Sequence, residues 1–266
     1  MSNRVILVTG ASSGIGRVCA DSLHESGWTV IGASRRGTSS AGWSPIEMDV
    51  DDDTSVTNAI ARIVEEHGRV DAVLANAGFG IAGAAEQTSI EDAKAQFETN
   101  FWGVIRIVNG ALPLFRIQGG GRLLLMSSIG GLLGIPYQAF YSASKFALEG
   151  YAESLAYEVE SFNIHVTLIE PGNFKTGFTA NRRKVVVHGD DPYKDSRERA
   201  VSMMERDEIN GANPLLVAKA VGKVLGSKNP PRRISVGKLD ERIGIMGKRL
   251  LPYRLFEKAA KGSLGV

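Results

Sequence analysis

The feature that most constrains the fold of this chain is a regular alternation of short apolar runs with helical patterns. Several of the runs lack polar alternation, which is typical of strands buried on both faces of a parallel sheet. The predicted strands are residues 5–8, 29–33, 45–48, 70–74, 122–126, 165–169 and 233–236. The predicted helices lie near residues 15–26, 53–67, 89–117, 139–162 and 214–226. This order predicts an α/β fold, a doubly wound seven-stranded parallel sheet with helices on both faces, because right-handed crossovers place helices on either side.

The composition of the 266 residues excludes several classes of protein. A net charge of +2 is too small to indicate a nucleic-acid partner. No apolar run approaches the ~20 residues of a membrane span, and the N-terminal apolar run is too short for a signal peptide and indicates a strand. The lone cysteine, Cys19, excludes an internal disulfide framework and suits a reducing compartment, so we expect a cytoplasmic protein. The histidines lack metal-ligand spacing, so we predict no metal site.

The chain shows no linker between domains, and we predict that residues 1–237 form a single domain. This domain includes a long polar segment, about residues 173–213, without a clear pattern. Loops longer than ~15 residues in a compact domain are usually functional lids or disordered. We interpret the segment as a lid containing some helix; the alternative is a surface insertion. Residues 238–266 are predicted to be a basic C-terminal extension, since residues 228–266 contain ten Lys/Arg and three Asp/Glu, a net charge of +7.

A glycine-rich turn, TGASSGIG at residues 9–16, follows the first predicted strand and opens the first predicted helix. Gly10, Gly14 and Gly16 allow a sharp turn and a close approach of the backbone to a pyrophosphate. The free N–H groups of the helix N-terminus attract the same anion, and the hydroxyls of Ser12 and Ser13 add donors. This context predicts a dinucleotide site in a fold of the Rossmann type.

The end of the second strand distinguishes the two nicotinamide dinucleotides. An NAD site usually has an acidic residue there, which binds the ribose 2′-hydroxyl. Here Ser34 takes that place and is followed by Arg35 and Arg36. A guanidinium favours a 2′-phosphate through charge-assisted hydrogen bonds, so we predict NADP(H) and expect NAD(H) to bind less well. The alternative is that the two arginines are a solvated loop pair.

A tyrosine and a lysine, Tyr141 and Lys145, lie one turn apart on the strongly helical segment 139–162. Positions i and i+4 share a helix face, and an ammonium beside a phenol is expected to lower the pKa of the phenol from ~10 toward neutrality. This predicts a general acid/base. Ser128 ends the fifth strand, where its hydroxyl faces the ligand crevice and can hold a substrate carbonyl oxygen. The alternative is an ordinary turn serine.

Taken together, these motifs resemble the short-chain dehydrogenase/reductase family. The resemblance rests on residues 9–16, Asp49, residues 76–78, Asn100, Ser128, Tyr141 with Lys145, and residues 171–172, in the family's order. It implies that the tyrosine exchanges a proton with the substrate oxygen and that the lysine binds the nicotinamide ribose. It further implies that the serine orients the carbonyl and that the asparagine holds a water of the proton relay. The predicted catalytic residues are therefore Asn100, Ser128, Tyr141 and Lys145.

The resemblance and the residue patterns also predict the cofactor contacts. Residues 171–176 resemble the family's loop beside the nicotinamide, which places Thr176 near the carboxamide. In one departure, some NADP-binding members have a basic residue at the position of Ser13, so the NADP prediction depends mainly on the two arginines. The predicted contacts are Gly10, Ser12, Ser13, Gly14, Ile15, Gly16, Ser34, Arg35, Arg36, Asp49, Val50, Asn76, Ala77, Gly78, Tyr141, Lys145, Pro171, Gly172, Phe174 and Thr176.

The loop at residues 129–137 is apolar and glycine-rich and connects the predicted catalytic serine to the catalytic helix. We expect it to line the substrate pocket together with part of the lid; the alternative is that its Leu and Ile side chains are core. The predicted pocket residues are Phe79, Ile129, Gly130, Leu132 and Tyr137. An apolar lining around a few polar groups suits a lipophilic ketone, aldehyde or secondary alcohol.

These patterns predict an NADP(H)-dependent oxidoreductase that transfers a hydride between the nicotinamide and a lipophilic carbonyl or alcohol. The alternative is a non-catalytic NADP-sensing or scaffold protein of the same fold. A sugar-nucleotide epimerase or dehydratase is disfavoured, because such enzymes have a larger substrate domain after the position of Pro171.

The basic extension mixes apolar and basic residues over short helical stretches broken by Pro252. Similar endings occur in the hydroxysteroid dehydrogenase-like branch of the family, which favours a lipophilic substrate. We expect the extension to pack over the substrate cleft or at a subunit edge; the alternatives are a membrane-surface helix and a solvated end. By family analogy, the helices at 89–117 and 139–162 form the interface of a homodimer or homotetramer.

Overall fold

A computed structural model describes residues 4–37 and 42–264 of the chain. Within these residues the main sheet has seven parallel strands, in the spatial order β3-β2-β1-β4-β6-β7-β9, and β5 pairs with β8 in a separate small sheet. The strands are β1 (Val5–Thr9), β2 (Thr29–Ser34), β3 (Ser44–Glu47), β4 (Ala72–Ala75), β5 (Ile81–Ala82), β6 (Gly121–Met126), β7 (Ile164–Pro171), β8 (Arg183–Lys184) and β9 (Arg233–Val236). The predicted doubly wound α/β fold is confirmed.

Helices cover both faces of the main sheet. They are α1 (Gly14–Glu25), α2 (Asp53–His67), α3 (Ile90–Phe97), α4 (Gly103–Gln118), α5 (Ala139–Glu158), α6 (Phe178–Asn181), α7 (Lys194–Ile209), α8 (Leu215–Gly226), α9 (Leu239–Leu250) and α10 (Tyr253–Leu264). On one face the apolar sides of α2, α4 and α5 pack on the sheet, and on the other face α1 and α8 do so. Alternate residues of β1 pack on opposite faces of the sheet. Leu7 packs on the face covered by α2, α4 and α5, whereas Ile6 and Val8 pack on the face covered by α1 and α8. This two-sided burial explains the uninterrupted apolar runs in the sequence.

The strand order opens a crevice at the carboxyl edge of the sheet. The chain runs outward from β1 to β2 and β3 and then returns to place β4 on the other side of β1. Ligands of open α/β sheets bind at such a reversal. Thr9, at the end of β1, joins the two sides, since its Oγ1 accepts from the backbone N–H groups of Asn76 (3.0 Å) and Ala77 (3.1 Å).

Two predicted helices differ in detail from the structure. The helix expected over 89–117 consists of α3 and α4 joined by a π-helical turn, Glu98–Trp102. A π-turn inserts one extra residue per turn and often occurs at functional sites. Here it contains Asn100, a candidate site residue that is fully buried. The helix expected over 139–162 ends at Glu158, and a separate 3₁₀ turn, Glu160–Phe162, follows it.

The segment at 173–213 contains α6, β8 and α7 and is tied to the rest of the domain. At its start, β8 pairs with β5 through Ile81 and Arg183. At its end, Ala212 forms a parallel bridge with Phe174. The basic extension forms α9 and α10, of which α9 packs near the carboxyl edge of the sheet. No helix within the two described ranges combines the length and the apolar character that a membrane crossing requires.

Candidate active site

A cleft of about 510 Å³ lies at the carboxyl edge of the sheet. Most of the predicted site residues line it, although they come from separate loops along the chain. The predicted residues on its walls are Gly10, Ser12, Ser13, Gly14, Ile15, Ser34, Arg35, Arg36, Asp49, Val50, Asn76, Ala77, Gly78, Phe79, Ser128, Ile129, Tyr141, Lys145, Pro171, Gly172, Phe174 and Thr176. Gly16, Asn100, Gly130, Leu132 and Tyr137 are not on the walls.

The glycine-rich turn has the properties of an anion cradle. Gly10 has a φ of +67°, and an added Cβ would lie 2.9 Å from Asn76 Nδ2, so both conformation and space require glycine. Gly16 does not face the cleft; an added Cβ there would collide with Gly10 O and Asn76, so this glycine allows helix and turn to pack closely. Ser13 is the N-cap of α1 but makes no side-chain cap hydrogen bond, and no acidic residue lies in the first turn. The N-terminus of α1 is therefore free to receive an anion such as a pyrophosphate.

At the end of the cleft next to β2, two arginine side chains lie beside a serine hydroxyl that has no hydrogen-bond partner among the described residues. Arg35 and Arg36 follow β2 and are exposed on the cleft. The Ser34 hydroxyl is buried and has no hydrogen-bond partner among the described residues. After the neighbouring strand β3, Asp49 Oδ1 accepts from the backbone N–H of Asp51 (3.1 Å). Together with the anion cradle, this donor set fits a phosphorylated dinucleotide.

The opposite end of the cleft brings together Ser128, Tyr141 and Lys145. Tyr141 and Lys145 lie in the first two turns of α5 and are 8% and 4% exposed. Lys145 Nζ donates to Met126 O at 2.8 Å and lies 6.0 Å from the centre of the Tyr141 ring. Ser128 Oγ accepts from the backbone N–H of Gly130 at 3.0 Å, so the hydroxyl is held just beyond the carboxyl end of β6.

Burial dominates the pKa values at this end of the cleft. It raises the pKa of Tyr141, against a lowering contribution from the Ser128 hydroxyl. It also lowers the pKa of Lys145 to about 8, although the charge of Glu149 acts in the opposite direction. The pKa of Tyr141 is therefore raised and not lowered as expected, because desolvation of the phenolate and the charge of Glu208 outweigh the lowering by the Ser128 hydroxyl and the charge of Arg182.

Asn100 lies behind the cleft wall rather than on it. Its Oδ1 accepts from the backbone N–H of Phe79, and its Nδ2 donates to Phe79 O, both at 3.0 Å. Nδ2 is also 3.3 Å from Ser144 Oγ, on α5. Asn100, in the π-turn, thus contacts both the loop after β4 and helix α5 and connects the two.

The substrate end is only partly formed by the loop at 129–137. Ile129 is on the wall, as is Phe79 from the loop after β4. Gly130 packs beneath Ser128 and Tyr141. The Leu132 carbonyl accepts from Lys248 Nζ of α9 at 2.5 Å, and the Tyr137 hydroxyl is hydrogen-bonded to Ser196 of α7. Leu132 therefore attaches the loop to the basic extension, and Tyr137 attaches it to the lid.

Several wall residues were not found by sequence reasoning. One group completes the substrate end: Phe178, Asn181, Arg183, Met204 and Glu208 belong to the lid, whereas Ile135, within the apolar loop at 129–137, and Gln138 lie just before α5. The others, mainly at strand ends, are Ala33, Met48, Asp51, Thr99, Met126, Ser127 and Asn173. The lid residues have no local motif, and the only signal was the length and polarity of the segment.

The extension also contacts the cleft. Glu241 Oε1 of α9 accepts from the backbone N–H of Asn173 at 2.8 Å, and Oε2 accepts from the N–H of Lys238. Gly172 packs against the same carboxylate so closely that no Cβ would fit. Helix α9 therefore supports the loop at 171–176 from outside.

Comparison with known proteins identifies the family. The family model for short chain dehydrogenases matches residues 4–186. The chain belongs to the short-chain dehydrogenase family. In this family the cleft is that of an oxidoreductase that binds a nicotinamide dinucleotide and acts on a carbonyl/alcohol pair.

Individual relatives cover nearly the whole chain. A Bacteroides thetaiotaomicron protein named 3-ketodihydrosphingosine reductase is 42% identical over 263 residues, which are 98% of this chain and 98% of the relative. Retinol dehydrogenase 8 of Bos taurus is 34% identical, covering 86% of this chain and 80% of its own. A solved short-chain dehydrogenase from Streptomyces avermitilis superposes with a TM-score of 0.82 at 30% identity and 98% coverage of both chains.

Proposed function

We propose that this short-chain dehydrogenase is an NADP(H)-dependent reductase of a lipophilic ketone. The observation that carries the proposal is the arrangement of the cleft. It has arginines beside a free serine hydroxyl at one end, and Ser128, Tyr141 and Lys145 at the other. One cofactor-sized cleft therefore connects a 2′-phosphate site to an acid/base site.

The proposed chemistry uses this chain's residues in a simple order. When bound, the dinucleotide supplies the hydride. Ser128 donates a hydrogen bond to the substrate carbonyl oxygen, and Tyr141 gives that oxygen its proton as negative charge develops. The raised pKa keeps Tyr141 protonated at neutral pH, which suits the reductive direction. Lys145 is positioned to bind ribose hydroxyls, and Asn100 holds the loop that carries Phe79.

The walls of the cleft and the relatives support the proposed substrate class. Ile129, Ile135, Phe178 and Met204 give the substrate end an apolar lining. The relative that shares 42% of its residues across the full length is named as a reductase of 3-ketodihydrosphingosine, a long-chain ketone that carries an amine. We propose the same compound, or a ketone of closely similar shape, as the substrate.

The activity is tested by following the absorbance of NADPH with a panel of long-chain and short-chain ketones and aldehydes. Wild type is expected to oxidise NADPH with the long-chain ketone, and Tyr141→Phe is expected to lose at least about 100-fold in rate, since general acid catalysis contributes about 10²–10⁴-fold. Equal turnover by the two proteins would remove Tyr141 from the mechanism. Tight NADPH binding without turnover of any carbonyl would instead favour a sensor or scaffold role.

The cofactor preference has a separate test. In Arg35→Ala/Arg36→Ala the affinity for NADPH is expected to fall about 10- to 100-fold, because hydrogen bonds to charged groups contribute about 1.5–3 kcal/mol. The affinity for NADH is expected to stay within about twofold. Arg62→Ala is the matched control, since Arg62 is an exposed arginine that pairs with Glu66 on α2, away from the cleft. An unchanged NADPH/NADH affinity ratio in the double variant would refute the 2′-phosphate assignment.

We also infer that the protein is a homodimer or homotetramer that associates through α4 and α5. Large apolar side chains are exposed in and beside these helices, including Trp102 (50%), Ile117 (85%) and Tyr157 (68%). Their burial in a partner is favourable because apolar surface leaves water. Sedimentation equilibrium of wild type and of Ile117→Glu/Tyr157→Glu tests this; an unchanged mass for the variant would exclude this interface.

A further inference from the structure

The lid places a carboxylate in the substrate end of the cleft. Glu208, in the last turn of α7, lines the same cleft as Tyr141 and is 8% exposed. Its Oε1 accepts from Arg182 Nη2, and its Oε2 accepts from Thr179 Oγ1 at 2.5 Å. An ionised carboxylate has about four acceptor sites, so these two contacts leave acceptor capacity toward the cleft.

A buried arginine, Arg182, pairs with this carboxylate. The Arg182 side chain is fully buried, and its guanidinium lies 5.6 Å from the centre of the Phe178 ring. That ring packs against Tyr141 with a centroid distance of 6.0 Å. Nε and Nη1 of Arg182 have no hydrogen-bond partner among the described residues. A buried ion pair with unsatisfied donors is a poor source of stability, which favours a binding role over a structural one.

The backbone around the pair is fixed at both ends of the lid. After Arg182, the N–H of Arg183 donates to Gly80 O at 3.0 Å. After Glu208, the N–H of Ala212 donates to Asn173 O at 2.9 Å, in the loop beside the catalytic end. Glu208 is therefore held in place relative to Tyr141, as a recognition group must be.

The distribution of charge on the walls indicates what Glu208 binds. The acidic residues lining the cleft are Asp49, Asp51 and Glu208, and the first two follow β3, the strand that pairs with β2 and so lies next to the segment of Arg35 and Arg36. Glu208 alone of these lies among the apolar side chains of the substrate end. A carboxylate in an apolar wall recognises a cationic or hydrogen-bond-donating substituent. The lid's other lining charge, Arg183, is at the mouth, where its guanidinium lies over the Phe79 ring at 4.5 Å.

We propose that Glu208 binds a protonated amine of the substrate, close to its ketone, so that the substrate class is long-chain amino ketones. This inference rests on the proposed ketone reductase function and adds the recognition group to it. Arg182 is a positioning residue in this arrangement, because it contacts the carboxylate and does not line the cleft. An apolar ketone without the amine would desolvate the remaining acceptor sites of the Glu208 carboxylate without giving them a donor, which disfavours its binding.

The test compares two ketones of equal chain length, one with and one without the amine, each with NADPH. Wild type is expected to prefer the amino ketone in kcat/KM. Glu208→Gln is expected to reduce kcat/KM for the amino ketone about 10- to 100-fold, the range for hydrogen bonds to charged groups. The same variant is expected to change kcat/KM for the plain ketone by less than about threefold. The ratio of the two values is independent of the active fraction, so partial misfolding of the variant does not obscure the result.

Two further variants complete the test. Glu205→Gln is the matched control, because Glu205 lies one turn earlier on α7, pairs with Lys184 at 2.7 Å and does not line the cleft; its ratio is expected to equal that of wild type. Glu208→Asp keeps the charge and is expected to retain part of the preference. Equal losses on both ketones in Glu208→Gln, or the absence of a preference in wild type, would overturn the proposal.

The inference and the proposed function fail in different ways. Turnover of both ketones without discrimination refutes the role of Glu208 but leaves the reductase function intact. If wild type turns over neither ketone, the reductase function fails; binding of the matching long-chain amino alcohol and plain alcohol to the NADPH-loaded protein then decides on Glu208. Equal affinity of wild type and Glu208→Gln for the amino alcohol would refute amine recognition.

Discussion

A buried carboxyl one helical turn after Lys145 gives a quantitative prediction about stability. Glu149 follows Lys145 by one turn of α5 and is 7% exposed. Burial raises its pKa to about 7 from an ordinary value of 4.5; the Ser127 hydroxyl lowers it, the charge of Glu170 raises it, and the charges of Arg233 and Lys145 lower it. The Arg233 guanidinium is 3.6 Å from Glu149 Oε2, too far for a strong hydrogen bond. Burial therefore dominates.

The raised pKa makes folding depend on pH with a definite sign. Between pH 4.5 and about 7 the folded protein keeps the Glu149 proton, whereas the unfolded chain releases it. The contribution of Glu149 to stability is therefore fully present below pH 4.5 and is lost as the pH rises through about 7. Integrated from pH 5 to pH 8, this loss amounts to about 2–3 kcal/mol.

The perturbation is Glu149→Gln, which removes the titration and nearly preserves the shape. The free energy of unfolding is measured by denaturant titration at intervals from pH 5 to pH 8, and the difference between variant and wild type cancels the titration of distant groups. We expect this difference to move by about 2–3 kcal/mol in favour of the variant across the range. A pH-independent offset from burying the amide does not affect the slope.

Glu153→Gln is the matched control for this measurement. Glu153 lies one turn further along α5 and also faces Arg233, at 3.8 Å, but its side chain is 60% exposed. Its difference from wild type is expected to be flat within about 0.5 kcal/mol, because exposed ion pairs contribute little. A flat difference for Glu149→Gln as well would show that Glu149 is ionised in the folded protein at low pH and would refute the reasoning.

Three further predictions test the cofactor turn, the core and a helix cap. Gly10→Ala is expected to weaken NADPH binding at least about tenfold in a fluorescence titration, because Gly10 has a φ of +67° and no room for a Cβ. Gly150→Ala is the control and is expected to leave binding unchanged, since a Cβ at this position meets nothing within 4 Å. Equal effects of the two substitutions on NADPH affinity would contradict the role of the turn as an anion cradle. Leu124→Ala, in the interior strand β6 at 0% exposure, is expected to lower the free energy of unfolding by about 2–5 kcal/mol in urea. A loss below about 1 kcal/mol would argue against tight packing there. Asp52→Ala is expected to cost about 1 kcal/mol in the same assay, because the Asp52 side chain caps α2 by accepting from Ser55 N–H; no loss would mean that the cap is not formed in solution.

Much of the fold and of the cofactor end is predictable from sequence because the signals are local. A strand buried on both faces is apolar throughout, so β1 is recognisable without any knowledge of its neighbours. The turn after it needs glycine at Gly10 for conformational reasons that act within a few residues. Tyr141 and Lys145 share a helix face because of the helical period alone.

The substrate end is different, because its residues meet only through tertiary contacts. Glu208 and Arg182 are 26 residues apart, in a segment without periodicity, and their pairing depends on how α6 and α7 fold back over the sheet. Tyr137 was expected in the substrate pocket, but its hydroxyl contacts the lid instead. Position along the apolar loop did not reveal which side chains turn toward the cleft.

The sequence by itself determined the α/β class, the strand order along the chain and the location of the dinucleotide turn, since each depends on short-range patterning and backbone conformation. Only the tertiary structure decided which charges are buried and what surrounds them. It raised the pKa of Tyr141 where proximity to Lys145 predicted a lowering, because desolvation depends on everything packed around a group and not on its sequence neighbours. For the same reason, the tertiary structure alone placed the Glu208 carboxylate in the same cleft as Tyr141, among apolar side chains.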